Sequence, residues 1–256
     1  RDFLSMMAAT GAYTALGGGL TGCLETDLAQ NNLRFDPNSA VPALGGSPDR
    51  PWWLRGNYAP VPDEIEAFDL EVKGNLPPEL NGYFLRNGPN PREDSPFWLL
   101  ADGMMHAVEL RNGKAISYRN RWIQTTVWEE GDSGMLSNFA NTSYVYHGDK
   151  LLALYEMGAP YQVDIENLNT QGIHRFDGSL LGPMGAHPKQ DPLTGELFFI
   201  GYFPVPPYLR FHHVSAAGEL LKTTELSLPR AVMMHDFQLT ERFAIFFDMP
   251  LIFELE

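Results

Sequence analysis

Repeated strand-turn-strand patterns constrain the fold of this chain more than any other feature. Apolar-alternating runs flank Asn112-Gly113, and an Asn-Gly pair between such runs is a strong hairpin signal. A second hairpin is predicted around Gly148-Asp149 and a third around residues 215–218. The 24 glycines and 20 prolines are spread along the whole length, as expected of many turns between short strands. No segment carries a sustained helical stripe with caps at both ends.

Successive hairpins at this spacing predict an all-β fold, which can be a sandwich, a barrel or a propeller. The spacing alone does not choose among the three. A propeller has one functional attraction, because its blades bring single side chains that are far apart in sequence to a common axis. That geometry would suit His187 and His235, which lie 48 residues apart, about the length of one blade.

Composition and charge narrow the classes of partner. The chain has 256 residues, of which 44% are hydrophobic, so it can bury a sizeable core. It carries 18 Lys and Arg against 32 Asp and Glu, a formal net charge of -14, which argues against binding to nucleic acid. No run of 18 apolar residues occurs in the body of the chain, so no internal membrane span is predicted.

The first 24 residues are interpreted as an export signal. Arg1 and the small and apolar residues up to Gly22 resemble the second half of a twin-arginine signal. Residues 20–23 (LTGC) resemble a bacterial lipobox, so Cys23 is a candidate for lipidation. Membrane association is expected through this lipid anchor or through an apolar surface patch. The prediction is an exported protein, periplasmic or anchored to the envelope, with a cytoplasmic location as the alternative. Cys23 is the only cysteine, so a disulfide within this chain is excluded.

Two further regions follow the signal. Residues 25–60 are polar and turn-rich, and they are interpreted as an N-terminal arm. Residues 61–256 hold the predicted strands. Because the sequence stops directly after apolar runs, we interpret it as the N-terminal part of a longer protein.

Two histidines are candidate metal ligands. His187 and His235 each lie in a strand-and-turn context, and imidazole is a common ligand of transition metals. The seven histidines of the chain include no local pattern such as H-x-x-x-H. From spacing alone, structural roles for these histidines are therefore favoured over a shared metal.

Five motifs change that balance when they are read together. They are residues 85–91 (LRNGPNP), 102–108 (DGMMHAV), 152–156 (LALYE), 186–196 (AHPKQDPLTGE) and 235–241 (HDFQLTE). In this order they resemble the carotenoid cleavage oxygenase family, which includes bacterial apocarotenoid and lignostilbene dioxygenases and the retinal-pigment-epithelium isomerase of animals. The resemblance covers the chain from about Trp53 to the end.

The resemblance implies a fold and a metal site. It implies a seven-bladed β-propeller, of which residues 61–256 would form roughly the first half. Fe(II) would be held on the axis by four histidines, with His187 as the first ligand and His235 as the second. The third and fourth ligands are expected beyond residue 256. Glu156 matches a carboxylate that hydrogen-bonds a ligand imidazole and fixes its tautomer and orientation.

The resemblance also implies an activity. An iron-dependent dioxygenase of this kind uses O₂ to split a conjugated C=C double bond of a carotenoid, apocarotenoid or stilbenoid into two carbonyl products. Two alternatives stay open. One is a catalytically inactive propeller that binds a ligand or partner at the cell envelope. The other is a hydrolase or isomerase that uses a different metal in the same site.

Structural roles are expected for the other conspicuous residues. His106 is expected to form a structural hydrogen bond. His147 precedes a hairpin turn and is expected to be exposed. His212 and His213 are neighbours on one predicted strand, so their side chains should point to opposite faces. Residues 86–91 are expected to form a tight structural loop.

Overall fold

The computed structural model describes residues 49–92, 95, 97–131 and 137–253. Two compact units are present, and the smaller one contains residues 49–60 with Phe97 and Trp98. It has two single turns of 3-10 helix, Trp52–Leu54 and Gly56–Tyr58. The predicted export signal, the lipidation candidate Cys23 and most of the predicted arm lie outside the described residues, so those three interpretations stay predictions.

The larger unit is built almost entirely from short β-strands. Its described residues include one α-helix of a single turn, α1 (Thr126–Glu130). The strands are β1 (Glu66–Phe68), β2 (Gly82–Pro89), β3 (Gly103–Arg111), β4 (Lys114–Trp122), β5 (Ser143–His147), β6 (Lys150–Leu154), β7 (Tyr161–Val163), β8 (Thr170–Ile173), β9 (Lys189–Gln190), β10 (Leu197–Tyr202), β11 (Leu209–Val214), β12 (Leu220–Leu226), β13 (Phe237–Leu239) and β14 (Ala244–Phe246). The all-β prediction is confirmed.

The strands form four antiparallel sheets. The first has the order β1-β4-β3-β2, the second β5-β6-β7-β8 and the third β12-β11-β10-β9, while the fourth is the pair β13-β14. In the second and third sheets every strand pairs with its neighbour in the sequence. Four-stranded antiparallel meanders of this kind are the blades from which propellers are assembled.

Turn chemistry sets the register of the hairpins. Asn112 and Gly113 have φ values of 51° and 73°, and Gly148 and Asp149 have 53° and 58°. Two consecutive residues with positive φ make the turn whose twist matches the flanking strands. Both hairpins predicted at these pairs are confirmed, as is the third, between β11 and β12.

The predicted loop at residues 86–91 is wrong over most of its length. Strand β2 continues to Pro89, and it pairs with β3 along all eight of its residues. Pro89 is tolerated because it is the last residue of the strand. The Asn87 side-chain amide donates hydrogen bonds to the backbone oxygens of Ala140 and Ser143, at 2.8 and 2.9 Å. The motif therefore joins the first sheet to the start of the second.

Strand β6 is buried on both faces. Leu151 and Ala153 belong to a core shared with the first sheet, while Leu152 and Leu154 belong to a core shared with the third. Alternate residues of a strand point to opposite faces, so β6 carries two different apolar surfaces. The second sheet is thus packed between its two neighbours.

The expectation that His147 is exposed is wrong. Its side chain is buried, and Nε2 lies 2.8 Å from the backbone oxygen of Gly195. The physical reason is that the tip of its hairpin packs against the third sheet, where a methyl group on Gly148 would lie 2.8 Å from the Cα atom of Gly218.

The remaining structural histidines behave as expected. His106 Nδ1 lies 2.8 Å from the hydroxyl of Tyr118 on the adjacent strand. His212 is buried and contacts Thr223, while His213 points to the other face and contacts Glu196. Within the described residues, no helix is long and apolar enough to cross a membrane.

Candidate metal centre

The three predicted site residues occupy related positions at strand ends. His187 lies two residues before β9, the first strand of the third sheet, and His235 lies two residues before β13, the first strand of the fourth. Glu156 follows the end of β6 by two residues. Equivalent positions in successive blades converge in a propeller, which is how residues 48 apart can meet.

The structure brings these three side chains together. One nitrogen of each histidine and one oxygen of Glu156 all lie within 4.8 Å of one another. Glu156 Oε1 is 3.4 Å from His187 Nε2 and 3.2 Å from His235 Nδ1. The two imidazole rings meet edge to face, with their centroids 4.4 Å apart. The arrangement agrees with the predicted grouping of two histidines backed by a carboxylate.

The segment that carries His187 is anchored through its backbone. Gly185 N donates to the oxygen of Ile200 in β10 at 2.7 Å, and Met184 N donates to the oxygen of Gly158 at 2.9 Å. The Ser143 hydroxyl donates a short hydrogen bond to the oxygen of Ala186. These bonds hold the His187 segment to both the second and the third sheets.

The segment that carries His235 has one backbone bond of the same kind, from Met233 N to the oxygen of Leu251 at 2.9 Å, and Leu251 lies outside the strands. Lys189 Nζ forms an ion pair with Asp236 Oδ1 at 2.7 Å, which links the residue two after His187 to the residue after His235. Phe237 is fully buried, and its ring packs edge to face on Phe211 of the third sheet. The His235 side chain is 55% exposed, against 31% for His187.

Glu156 is the electrostatic centre of the cluster. Burial raises the pKa of this carboxyl, but contacts with His187, His235 and the Tyr202 hydroxyl lower the pKa by more than burial raises it, to about 2. The Tyr202 hydroxyl donates to Glu156 Oε2 at 2.7 Å. The neighbouring carboxylate raises the pKa of His235 more than burial lowers it. Glu156 is therefore a partly buried anion that faces two imidazoles.

The cluster fits a transition-metal ion. Glu156 Oε1 and His187 Nε2 are buried, yet neither has a partner with hydrogen-bonding geometry within the described residues. Buried polar atoms without partners are rare and call for an explanation such as a bound ion. Imidazole nitrogen suits divalent iron and its neighbours in the first transition series, and a carboxylate beside the imidazoles orients the rings and balances part of the metal charge.

Two features that support this cluster were not predicted from the sequence. One is Tyr202, which ends a strand that is buried along most of its length. A buried tyrosine needs a partner for its hydroxyl, so the sequence did contain a signal for it. The other is the Lys189–Asp236 ion pair. Both charges stand inside the quoted motifs, but their contact depends on how the two sheets are placed.

Comparisons with known proteins agree with this geometry. Residues 58–256 match the family described as retinal pigment epithelial membrane protein. The carotenoid 9,10(9',10')-cleavage dioxygenase 1 of Arabidopsis thaliana is 37% identical over 243 residues, which cover 78% of this chain and 45% of that protein.

Solved structures extend the comparison to the fold. A lignostilbene dioxygenase of Pseudomonas brassicacearum superposes with a TM-score of 0.68 at 34% identity, covering 74% of this chain and 45% of that one. A cobalt-substituted apocarotenoid oxygenase of Synechocystis superposes with a TM-score of 0.63 at 26% identity, covering 73% and 47%.

The chain spans about half the length of the curated relatives that it matches. The family match covers most of the chain, and the solved relatives share its succession of antiparallel sheets. The predicted fold class, a partial β-propeller, is thereby confirmed. The chain belongs to the carotenoid cleavage oxygenase family.

Proposed function

We propose that the intact protein is a non-haem Fe(II)-dependent dioxygenase that cleaves a conjugated C=C double bond into two carbonyl products. The observation that carries this proposal is the cluster of His187, His235 and Glu156, whose candidate ligand atoms lie within 4.8 Å of one another. The names of the relatives support the same chemistry, because they are cleavage dioxygenases of carotenoids and lignostilbenes.

His187 and His235 are the residues of this chain that would hold the iron. Nε2 of His187 is buried and lacks a hydrogen-bond partner among the described residues. In His235, Nδ1 faces Glu156, which leaves Nε2 for the metal. Two further imidazoles would come from the rest of the protein. One solved relative is described as cobalt-substituted, which supports a metal ion in proteins of this fold.

Glu156 and Tyr202 would tune the site without touching the substrate. When bound, Fe(II) supplies the activation of O₂ that oxidative cleavage requires. The Glu156 carboxylate would accept the Nδ1 proton of His235 in a hydrogen bond, fix the tautomer and balance part of the metal charge. Tyr202 holds the other carboxylate oxygen at 2.7 Å, so that Oε1 stays turned toward the imidazoles.

The proposed substrates are carotenoids, apocarotenoids or stilbenoids, together with O₂. The support is the set of relatives, which includes a carotenoid cleavage dioxygenase and a lignostilbene dioxygenase. All of these candidates are apolar and conjugated, so their cleavage depends on a dry cavity that places one double bond.

The test of the proposed function uses the intact protein loaded with Fe(II) under anaerobic conditions. A panel of carotenes, apocarotenals and stilbenes is then incubated with it in O₂. Carbonyl products are expected only when iron and O₂ are both present. Activity that persists without O₂ would refute the dioxygenase assignment.

Variants connect that activity to the cluster. We expect His187→Ala and His235→Ala to abolish stoichiometric iron binding and turnover together. His213→Ala is the matched control, because His213 pairs with Glu196 away from the cluster and its loss should leave iron content unchanged. Loss of iron from the control alone would contradict the proposed ligands.

We also propose that the protein is exported and that Cys23 carries a lipid. The support is the lipobox-like residues 20–23. Fractionation of cells that express the intact protein should place it in the envelope, and Cys23→Ser should release it from the membrane fraction. Recovery in the cytoplasm would refute this proposal.

A further inference from the structure

The larger unit contains a cavity of about 320 Å³. Its wall includes Met157 and Phe203, which directly follow Glu156 and Tyr202 in the chain. The wall is mainly apolar, with two arginines. The lining residues are Met157, Ala159, Arg175, Leu181, Gly182, Pro183, Phe203, Val205, Pro206, Pro207 and Arg210. Ligand cavities typically have a volume of 300 to about 1,000 Å³, so this one suits the end of a long molecule.

Arg210 is one of the residues that line this cavity. Its Nε and Nη2 atoms each donate to Glu225 Oε1 at 3.3 Å. Among the described residues, no hydrogen-bond partner is found for Nη1. That atom lies close to Gly182, because a methyl group added to Gly182 would be only 3.1 Å from Nη1. A glycine at this position therefore leaves room for the guanidinium group at the wall.

The charge balance at this wall is positive. Arg175 contributes a second guanidinium group, and the acidic partner of Arg210, Glu225, is 63% exposed. An exposed carboxylate in water offsets the charge of a neighbouring arginine only weakly. Two arginines on one apolar cavity stand out in a chain whose formal net charge is -14. A planar guanidinium group matches a carboxylate better than it matches a neutral polar group.

We infer that this cavity receives the carboxylate end group of an apolar, elongated ligand. The inference rests on the proposed function and narrows it: among polyenes and stilbenoids, acid-bearing molecules would be preferred over their neutral counterparts. The apolar wall would cover the chain next to the acid, and Arg210 with Arg175 would hold the carboxylate. The distant double bond would then extend toward Glu156 and the histidines.

Binding to the metal-free intact protein tests the inference independently of turnover. Retinoic acid and retinol are suitable probes, because they share one polyene chain and differ in the end group. Quenching of protein fluorescence would give the two dissociation constants. We expect the acid to bind about tenfold more tightly or better, as a charge-assisted pair implies.

Variants assign the preference to the cavity. Arg210→Met should remove most of the preference for the acid, and the further change Arg175→Met should remove the rest. Arg210→Lys keeps the charge and should retain part of the preference even if the methionine variant folds poorly. Arg119→Met is the control, because Arg119 pairs with Glu66 on the first sheet and its loss should change neither dissociation constant.

Two results would overturn the inference. One is equal affinity for the acid and the alcohol. The other is binding to phosphatidylglycerol vesicles, but not to phosphatidylcholine vesicles, that is abolished by Arg210→Met while the two monomeric probes bind equally well. An anionic lipid surface would then be the ligand. Turnover is scored separately: a protein that prefers the acid but cleaves nothing retains this inference and loses the proposed function.

Discussion

His187 and His235 occupy the same position relative to the first strands of neighbouring sheets, but their segments are held differently. The His187 segment is fixed by three hydrogen bonds to backbone oxygens that reach two sheets. The His235 segment has one backbone bond, from Met233 N to the oxygen of Leu251, and is otherwise held by the Lys189–Asp236 ion pair and the buried ring of Phe237. The side chain of His235 is also the more exposed of the two. Equivalent places in a repeated fold can therefore differ in rigidity.

The difference predicts separate roles for the two segments in the site. A ligand that is fixed by backbone contacts is already in place before the metal arrives, which lowers the entropic cost of binding. A ligand on a segment with fewer backbone bonds can adjust to the metal and to its other ligands. We expect substitutions around His187 to reduce the stability of the protein, and substitutions around His235 to act mainly on metal retention.

Gly185→Ala should have the largest effect. The added methyl group would lie 2.8 Å from the backbone oxygen of Ile200, so the His187 segment would have to move. Overpacking against a backbone atom is expected to cost about 3 kcal/mol of unfolding free energy, measured by urea denaturation of the metal-free protein. Gly88→Ala is the control, because a methyl group there meets no atom within 4 Å. Equal losses in the two variants would contradict the anchoring.

Lowering the pH should destabilise the protein through His212, which pairs with β10, the strand that anchors the His187 segment. Its ring stacks on Phe199 of β10, and burial lowers the pKa of His212 to about 4. The pKa of an unfolded histidine is higher, about 6.5, so the unfolded state takes up a proton first as the pH falls. The stabilisation is complete above pH 6.5 and is lost toward pH 4, by about 3 kcal/mol in total.

Urea denaturation of the metal-free protein at pH 7 and pH 5 measures this dependence. His212→Phe keeps an aromatic ring on Phe199 and should flatten the difference between the two pH values. His213→Phe, on the exposed face of the same strand, should leave it largely unchanged. An unaltered pH dependence in His212→Phe would show that another group is responsible.

Tyr202→Phe should weaken both ligand segments through Glu156. The ring is kept, but the Glu156 Oε2 atom loses its 2.7 Å donor. We expect a loss of about 2 kcal/mol in stability and a roughly tenfold increase in the dissociation constant of iron, measured by competition with a chelator. Tyr146→Phe, on a half-exposed ring, should leave both quantities unchanged. An unaltered iron affinity in Tyr202→Phe would refute the role assigned to the hydroxyl.

Breaking the Lys189–Asp236 pair should have the smallest effect on stability. Both side chains are partly exposed, so Lys189→Met should cost only about 0.5 kcal/mol. Amide hydrogen exchange is the sharper measurement, because it should accelerate at residues 234–237 and not at residues 184–187. A double-mutant cycle with Asp236→Asn isolates the pair. Equal acceleration of the two segments would remove the distinction between them.

Much of the fold could be predicted because its signals are local. Positive-φ turn residues at Asn112-Gly113 and Gly148-Asp149 specify two hairpins without reference to the rest of the chain. The motif at residues 86–91 was misassigned for the opposite reason. Its Gly and Pro residues are typical of turns, and only pairing with β3 makes most of it a strand. Tertiary pairing outweighed local propensity there.

The site shows the same contrast. His187, His235 and Glu156 were predicted from the motifs, and the structure brings all three together. Spacing alone could not group them, because no local pattern relates residues on three sheets. Tyr202 and the Lys189–Asp236 pair depend on the distance between sheets, which the sequence does not state. His147 was misplaced because its burial comes from a neighbouring hairpin rather than from its own strand.

Strand β6 has a consequence for how this site can change. One face carries Leu151 and Ala153, and the other carries Leu152 and Leu154. A shift of one residue would therefore present the wrong side chains to both cores at once. The register of β6 therefore fixes the position of Glu156 relative to the two cores. Substitutions in the loop after Glu156 leave that register intact, whereas a one-residue insertion or deletion in β6 would displace the carboxylate. Diversity at this centre should consequently arise by substitution in loops and not by changes in strand length.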